Sequence, residues 1–284
     1  MAALTSRVYL KGNEEPEDFF SESLGVIFPD DVMVQHGDAD HAITYTSPHL
    51  PKSLEFELSD PTAEKDRLLF SHHLWNASLL AAEFVEADTL GLDTLERNSL
   101  HPKGLFDIKG LSTLEFGAGA ALPSTMASLL GAQRVAVTDY PTDVVMETLR
   151  KNIKRNTAEG SNVVVNGHEW GKLDDEFSVA NGETFDRLFV CDCLWMPWQH
   201  ENLRVSIAHF LKVGGQAWVI SGFHSGRKKM KLFFDEERLR AVGLVVDRIW
   251  ERDCAGVERE WDPEREDDVT ERKRWLAVAV LKRV

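Results

Sequence analysis

The sequence predicts an α/β fold: a mostly parallel sheet with helices on both faces and an antiparallel hairpin at its C-terminal edge. Three observations carry this expectation. From Leu111 onward, short apolar runs alternate with amphipathic stretches. A tight turn, Gly117-Ala118-Gly119-Ala120-Ala121, follows the first of those runs and opens a helical pattern. The last two apolar runs, near 244–250 and 274–281, have no helical pattern between them.

Taken in order, the pattern reads strand 111–116, helix 122–130, strand 134–138, helix 142–156 and strand 162–166. A second set follows: strand 185–191, helix 199–211, strand 215–221, helix 228–241, and the two final strands. Alternating units of this kind form a parallel sheet with right-handed crossovers. The final pair, joined by a polar loop at 251–273, closes as an antiparallel hairpin, because a parallel return needs a crossover packed across the sheet. Upstream, Leu54-Glu55-Phe56-Glu57-Leu58 alternates as a half-buried strand does, and His73 to Asp88 carries apolar residues at helical spacing. Residues 1 to about 50 hold acidic residues, Gly, Pro and short apolar pieces without a sustained period, and are expected to form an irregular arm. The chain therefore divides into an acidic N-terminal extension with a short strand, 1–70, and a main domain, 71–284.

With 284 residues and 43% hydrophobic content, the chain can bury a three-layer core. No stretch approaches the roughly 20 apolar residues that cross a bilayer. The first residues turn acidic before a signal-peptide core can form, so a soluble, cytoplasmic protein is expected, with the nucleus as a second compartment. Cys191, Cys193 and Cys254 are too few and too clustered for a disulfide framework, and Cys191-Asp192-Cys193 lacks the gap of a zinc or redox motif. A formal net charge of -15 argues against direct nucleic-acid binding and favours encounter with a cationic partner. Much of that charge lies at Asn13 to Asp40 and Glu258 to Asp268, where solvated segments account for it.

The glycine turn is the most informative segment. Gly117 and Gly119 let the backbone turn tightly and approach a ligand, although such turns also serve plain strand-to-helix packing. Glu115, immediately before the turn, sets a carboxylate where a pyrophosphate would be repelled and a cationic methionyl sulfonium held. Asp139 ends the next strand, about where an acid accepts hydrogen bonds from both hydroxyls of a ribose. The histidines offer little for a metal: His72 and His73 are adjacent and diverge on a helix, while His200 and His209 are not four apart. No metal site is expected.

These residues, with His73-Leu74-Trp75-Asn76-Ala77, Val137-Thr138-Asp139-Tyr140-Pro141, Glu169-Trp170-Gly171 and Asp192-Cys193-Leu194-Trp195, resemble the lysine-methyltransferase-like group of seven-strand (class I) enzymes. The likeness spans roughly Ser71 to Val284 and extends especially to fungal members often labelled nicotinamide N-methyltransferase-like. It implies a Rossmann-like seven-strand methyltransferase sheet, whose antiparallel edge strand sets it apart from a dehydrogenase, and S-adenosyl-L-methionine as cofactor. By the resemblance, Trp75 and Asn76 line the methionyl end and Trp170 packs near the adenine, while Asp192 and Trp195 face the acceptor amine as the catalytic pair. Tyr140 and Cys191 join Glu115, Gly117, Gly119 and Asp139 in the expected cofactor-binding set. Relatives commonly carry Tyr or Phe where Trp195 stands. The group includes enzymes that methylate elongation factor 1A at its N-terminal glycine and adjacent lysine, which implies a basic, translation-related protein substrate.

Methyl transfer from a sulfonium needs a neutral nucleophile about 3–3.5 Å from the methyl carbon. A lysine with pKa near 10.4 is only about 0.1% neutral near pH 7.4. Desolvation by Trp195 and Trp198 would lower that pKa, and Asp192 would orient the ammonium and pass its proton to water. His200, Glu201 and Gly222-Phe223-His224 lie at the same carboxyl edge as further candidates. A protein lysine or N-terminal amine is the expected acceptor. A small-molecule amine, and a regulatory methyltransferase-fold subunit working in a complex, are the alternatives.

Overall fold

A computed structural model describes residues 4–11, 34–37, 42–59, 73–93, 99–266 and 268–284. In chain order the strands are β1 (Val8–Lys11), β2 (Gln35–His36), β3 (Ala42–Tyr45), β4 (Leu54–Phe56), β5 (Leu74–Trp75), β6 (Ser112–Phe116), β7 (Arg134–Asp139), β8 (Val163–Gly167), β9 (Phe185–Cys191), β10 (Leu211–Gly222), β11 (Leu244–Asp253), β12 (Glu258–Glu260) and β13 (Trp275–Arg283). The helices are α1 (Asn76–Thr89), α2 (Leu122–Leu129), α3 (Asp143–Asn156), α4 (Glu176–Asn181), α5 (His200–Phe210), α6 (Arg227–Met230), α7 (Glu236–Ala241) and α8 (Val269–Arg274).

The main sheet runs β12-β11-β13-β10-β9-β6-β7-β8. Strands β8, β7, β6, β9 and β10 are parallel, and β13 is antiparallel to both β10 and β11. The expected antiparallel pairing is present, but β13 is inserted between β10 and β11 instead of forming the edge. Burial explains the choice. Trp275 to Leu281 is buried throughout, as a strand covered on both faces must be, whereas β11 is partly or fully exposed from Val245 to Ile249. The expected plain loop at 251–273 holds β12, folded back on β11, and α8. The single helix expected at 228–241 is broken, because the Asp235 side chain accepts a bond from the Arg238 N–H at 3.0 Å and so starts α7 afresh.

Side chains alternate across the sheet and sort into two cores. Val135, Val137, Phe189, Trp218, Ile220, Val278 and Val280 pack with α1, α2 and α3. Ala136, Leu188, Val190, Ala217, Val219 and Ala279 face the opposite way, with Leu203, Ile207 and Phe210 of α5 and Leu239 of α7.

The expected irregular arm is corrected in part. Strands β1, β3 and β4 form an antiparallel sheet, and β2 pairs with β5. Ile43 and Tyr45 are fully buried in the same core as α1, and the Leu4 N–H bonds the Cys254 carbonyl at 2.9 Å. A four-residue alternation is too short to stand out in a sequence, and long-range burial fixes it. Most of the acidic stretch from Asn13 to Asp40 lies outside the described residues, as does His72. Among the described residues, no helix is long and apolar enough to cross a membrane.

Candidate active site

The parallel strands β6, β7 and β9 end at one cleft, closed on its far side by β5 and the start of α1. Its empty volume, counted out to the open mouth, is about 930 Å³. The floor is the turn after β6, where Gly117 (φ 57°) and Gly119 (φ 53°) are left-handed and Ala121 (φ 63°) takes that conformation at the head of α2. A Cβ on Gly117 would stand 3.0 Å from Cys193 Sγ and 3.4 Å from the Trp170 ring, so this glycine is fixed by both conformation and space. A Cβ on Gly119 would meet nothing within 4 Å, since that side opens on the cleft.

Asp139 lines the cleft at the end of β7. Its Oδ2 accepts the Gly119 N–H at 2.8 Å and its Oδ1 the Tyr140 N–H at 2.7 Å. Burial raises its pKa against those two bonds. Each oxygen keeps a second lone pair for a ligand hydroxyl. Tyr140, exposed, and Trp170, half-buried, stand on either side.

Glu115 is placed differently. It is buried behind the glycine turn, outside the lining of the cleft, and its Oε2 accepts the Ser124 N–H of α2 at 3.0 Å while Oε1 has no partner. Burial pushes its pKa up to about 8, so it is mostly protonated at neutral pH. A raised folded-state pKa means that folding takes up a proton between the unfolded value and about 8, so Glu115 makes the fold less stable as pH climbs through that window. In Glu115→Gln this loss is expected to vanish: urea midpoints at pH 5 and pH 8 should lie closer together than in the wild type. Equal spacing in both proteins would show that Glu115 does not titrate there.

Asp192 follows β9 in the left-handed conformation (φ 53°). Its Oδ1 accepts from the Gly222 N–H at 2.7 Å and from Ser221 Oγ at 3.3 Å. The Oδ2 atom is buried and has no partner, although Asp192 lines the cleft. Cys191 and Cys193 line it too, and burial raises both thiols well above their ordinary pKa, which keeps them neutral. Trp195 lines the rim edge-on to Trp198, at 6.3 Å between ring centres, and Trp198 is 71% exposed.

The cleft thus gathers Trp75, Gly117, Gly119, Asp139, Tyr140, Trp170, Cys191, Asp192 and Trp195. Asn76 is not among its lining residues: buried in α1, it bonds His36 Nε2 at 2.7 Å and Cys254 Sγ at 3.5 Å, and Ser78 lines the cleft instead. His200 turns inward to the Leu194 carbonyl at 3.0 Å, while Glu201 is exposed. Sequence reasoning missed His168, a lining residue whose pKa burial lowers to about 4 and which contacts Ser206 Oγ at 2.9 Å. Its adjacency to Glu169-Trp170 was the available signal. Among the described residues, no group of three His, Cys, Asp or Glu could hold a metal.

A parallel sheet with an antiparallel strand set between β10 and β11, a glycine turn after β6 and an acid ending β7 defines the S-adenosylmethionine-dependent methyltransferase class. The chain belongs to the lysine methyltransferase family, whose model matches residues 62–238. It is 31% identical over 201 residues to a protein N-terminal and lysine N-methyltransferase of Neurospora crassa, covering 64% of this chain and 64% of that one. A protein of Gibberella zeae with the same description is 31% identical over 204 residues, covering 64% of this chain and 69% of that one. The match thus spans just under two thirds of the Neurospora crassa protein. Among solved structures, a variant of the branched-chain polyamine synthase of Thermus thermophilus aligns at TM-score 0.49 and 18% identity, over 73% of this chain and 55% of that one.

Proposed function

We propose that the protein is an S-adenosylmethionine-dependent N-methyltransferase acting on a lysine or N-terminal amine of a protein. The observation that carries this reading is the buried, unpartnered Oδ2 of Asp192 in the same cleft as Asp139 and the glycine turn. A buried carboxylate oxygen without a partner is costly, and a cationic amine satisfies it.

The residues present suit the cofactor. Gly119 leaves the floor open, Asp139 has lone pairs for ribose hydroxyls, and Trp75 and Trp170 offer aromatic walls. When bound, S-adenosylmethionine supplies an electrophilic methyl carbon and a sulfonium leaving group. Asp192 holds the acceptor amine, and Trp195 with Trp198 strips water from it, which favours the neutral form that attacks. A protein substrate is favoured by the names of the fungal relatives and by the exposed Trp198 beside the cleft.

The extension 1–70 takes part in substrate choice in this reading, since β2 pairs with the strand that carries Trp75, and His73 Nδ1 contacts the Gly37 carbonyl at 2.9 Å. The net charge of -15 suits a basic, translation-related partner, and elongation factor 1A is the first to test. Three unpaired cysteines accord with the reducing cytoplasm.

The test compares wild type with Asp139→Ala. Loss of a charge-assisted bond to the ribose is expected to weaken cofactor binding about 10- to 100-fold by calorimetry. Methyl-labelled cofactor in lysate should mark a discrete protein band with the wild type alone. Unchanged affinity would remove the ribose role, and label confined to small metabolites would move the acceptor to a small amine.

A further inference from the structure

Asp192 has a neighbour that the reading above leaves unused. His224 Nε2 lies 3.1 Å from Asp192 Oδ1. The imidazole is held from the other side by Trp75, edge-on at 4.8 Å between ring centres, so it sits behind a wall made of two cleft residues. The chain makes room for this contact. A Cβ on Gly222 would lie 2.6 Å from His224 Nε2, so a side chain there would push the ring off Asp192. The next part of the loop is anchored too, with Arg227 stacked on Phe223 at 4.2 Å and paired with buried Glu251 at 2.6 Å.

The contact has a definite polarity. With Asp192 ionised, Oδ1 only accepts, so His224 Nε2 must carry hydrogen. Oδ1 then takes donors from Gly222, Ser221 and His224, which leaves Oδ2 for the cleft. The His224 side chain is 26% exposed, enough for the ring to exchange a proton with solvent.

We infer that His224 is a positioning residue that acts through Asp192 to balance the charge of the acceptor site, taking up one proton as the bound ammonium gives one up. This rests on the proposed N-methyltransferase reading. Before transfer, the site holds an ammonium, the Asp192 carboxylate and neutral His224. The amine then loses its proton to water and His224 gains one from water at Nδ1, which leaves neutral amine, carboxylate and imidazolium. Proton number and net charge are the same in both states. The neutral nitrogen is then free to form its bond to the methyl carbon as the carbon–sulfur bond breaks. Asp192 alone would only strengthen the ammonium, and the imidazolium offsets that effect.

The groups facing His224 are Asp192 from the turn after β9 and, beyond the Trp75 ring, His73 from the segment before β5. Burial lowers the His224 pKa, but the charge and hydrogen bond of Asp192 outweigh it and raise the value above that of a free imidazole. Below the raised pKa, His224 is already charged and cannot take up the proton of the amine. Activity supported by this route is therefore lost as pH falls through that value and present above it.

The experiment uses the full chain and two readouts. The first is the NMR titration of the His224 ring with S-adenosylhomocysteine bound. Its midpoint should fall in Asp192→Asn, and n-butylamine, a mimic of the lysine side chain, should lower it in the wild type by competing for Asp192. The second is kcat/KM against pH in wild type and His224→Gln, where glutamine can still donate to Oδ1 but cannot titrate. Wild type should rise with pH up to the His224 midpoint and level off above it. The variant should be about tenfold slower at pH 7 with unchanged cofactor affinity, and should climb toward the wild type as the amine ionises by itself. A His224 midpoint indifferent to Asp192→Asn and to butylamine, or a variant profile parallel to that of the wild type, would overturn the inference while leaving the methyltransferase reading intact. A wild type with the expected titration that methylates no amine would overturn both.

Discussion

Asp192→Asn is expected to lower methyl transfer about 100-fold while leaving cofactor affinity unchanged. Asparagine keeps the shape and can still accept the Gly222 and Ser221 bonds with its carbonyl oxygen. What it loses is the charge and the accepting Oδ2, the buried atom without a partner. A hydrogen bond to a charged group contributes about 1.5–3 kcal/mol, and the lost proton management adds to that. The effect should fall on the acceptor alone, because Asp139, the acid proposed to hold the ribose, ends β7, whereas Asp192 follows β9. Single-turnover rates with saturating labelled cofactor, paired with calorimetry, separate the two. Turnover within a factor of two of wild type would remove Asp192 from the acceptor site.

The second large effect concerns stability. Glu251 is fully buried and takes Arg227 at 2.6 and 3.1 Å, Arg259 at 2.8 Å and Arg265 at 3.2 Å. Glu251→Gln leaves three guanidiniums around a neutral amide, one of them, Arg227, almost as deeply buried. Removing one partner from a buried ion pair costs about 3–5 kcal/mol, and that loss is expected in urea unfolding. The three guanidiniums lose the counter-charge they share, although Arg259 keeps Glu271 at 2.8 Å. A loss below about 1 kcal/mol would mean that the arginines reach water in the variant. Since Arg227 anchors the loop carrying His224, the variant should also broaden the ring signals of that residue.

Much of the fold could be read from periodicity, because β6 to β10 and the helices between them repeat one unit. What periodicity could not supply was pairing. That β13 would separate β10 from β11 depends on which strand is apolar on both faces, a comparison across 70 residues that no local window makes. The site divides in the same way. Asp139 and the glycines were readable because chain geometry at a strand end dictates their position. Glu115 was misplaced by parity: Leu114 and Phe116 point to the face of α5, so Glu115 points to the opposite face, beneath α2. Asn76 was misread for a related reason, since at the junction of β5 and α1 neighbouring side chains diverge. Asp192 and Trp195, which line the cleft, are singled out in the sequence by family resemblance alone. His224 meets Asp192 across 32 positions, and the contact needs the missing side chain of Gly222, whose place the imidazole takes.

The inserted strand also orders events during synthesis. Strand β10 leaves the ribosome with one edge satisfied by β9 and the other destined for β13, about 50 residues later in the chain, a delay of roughly 3–10 s at common elongation rates. When β11 emerges it can pair only with the short β12, because its place in the sheet is on the far side of the same missing strand. Through that interval Trp218, Val219 and Ile220 present an open apolar edge, and direct pairing of β10 with β11 would be a trap that has to be undone. The nascent chain therefore passes through a window in which a chaperone has a defined edge to guard.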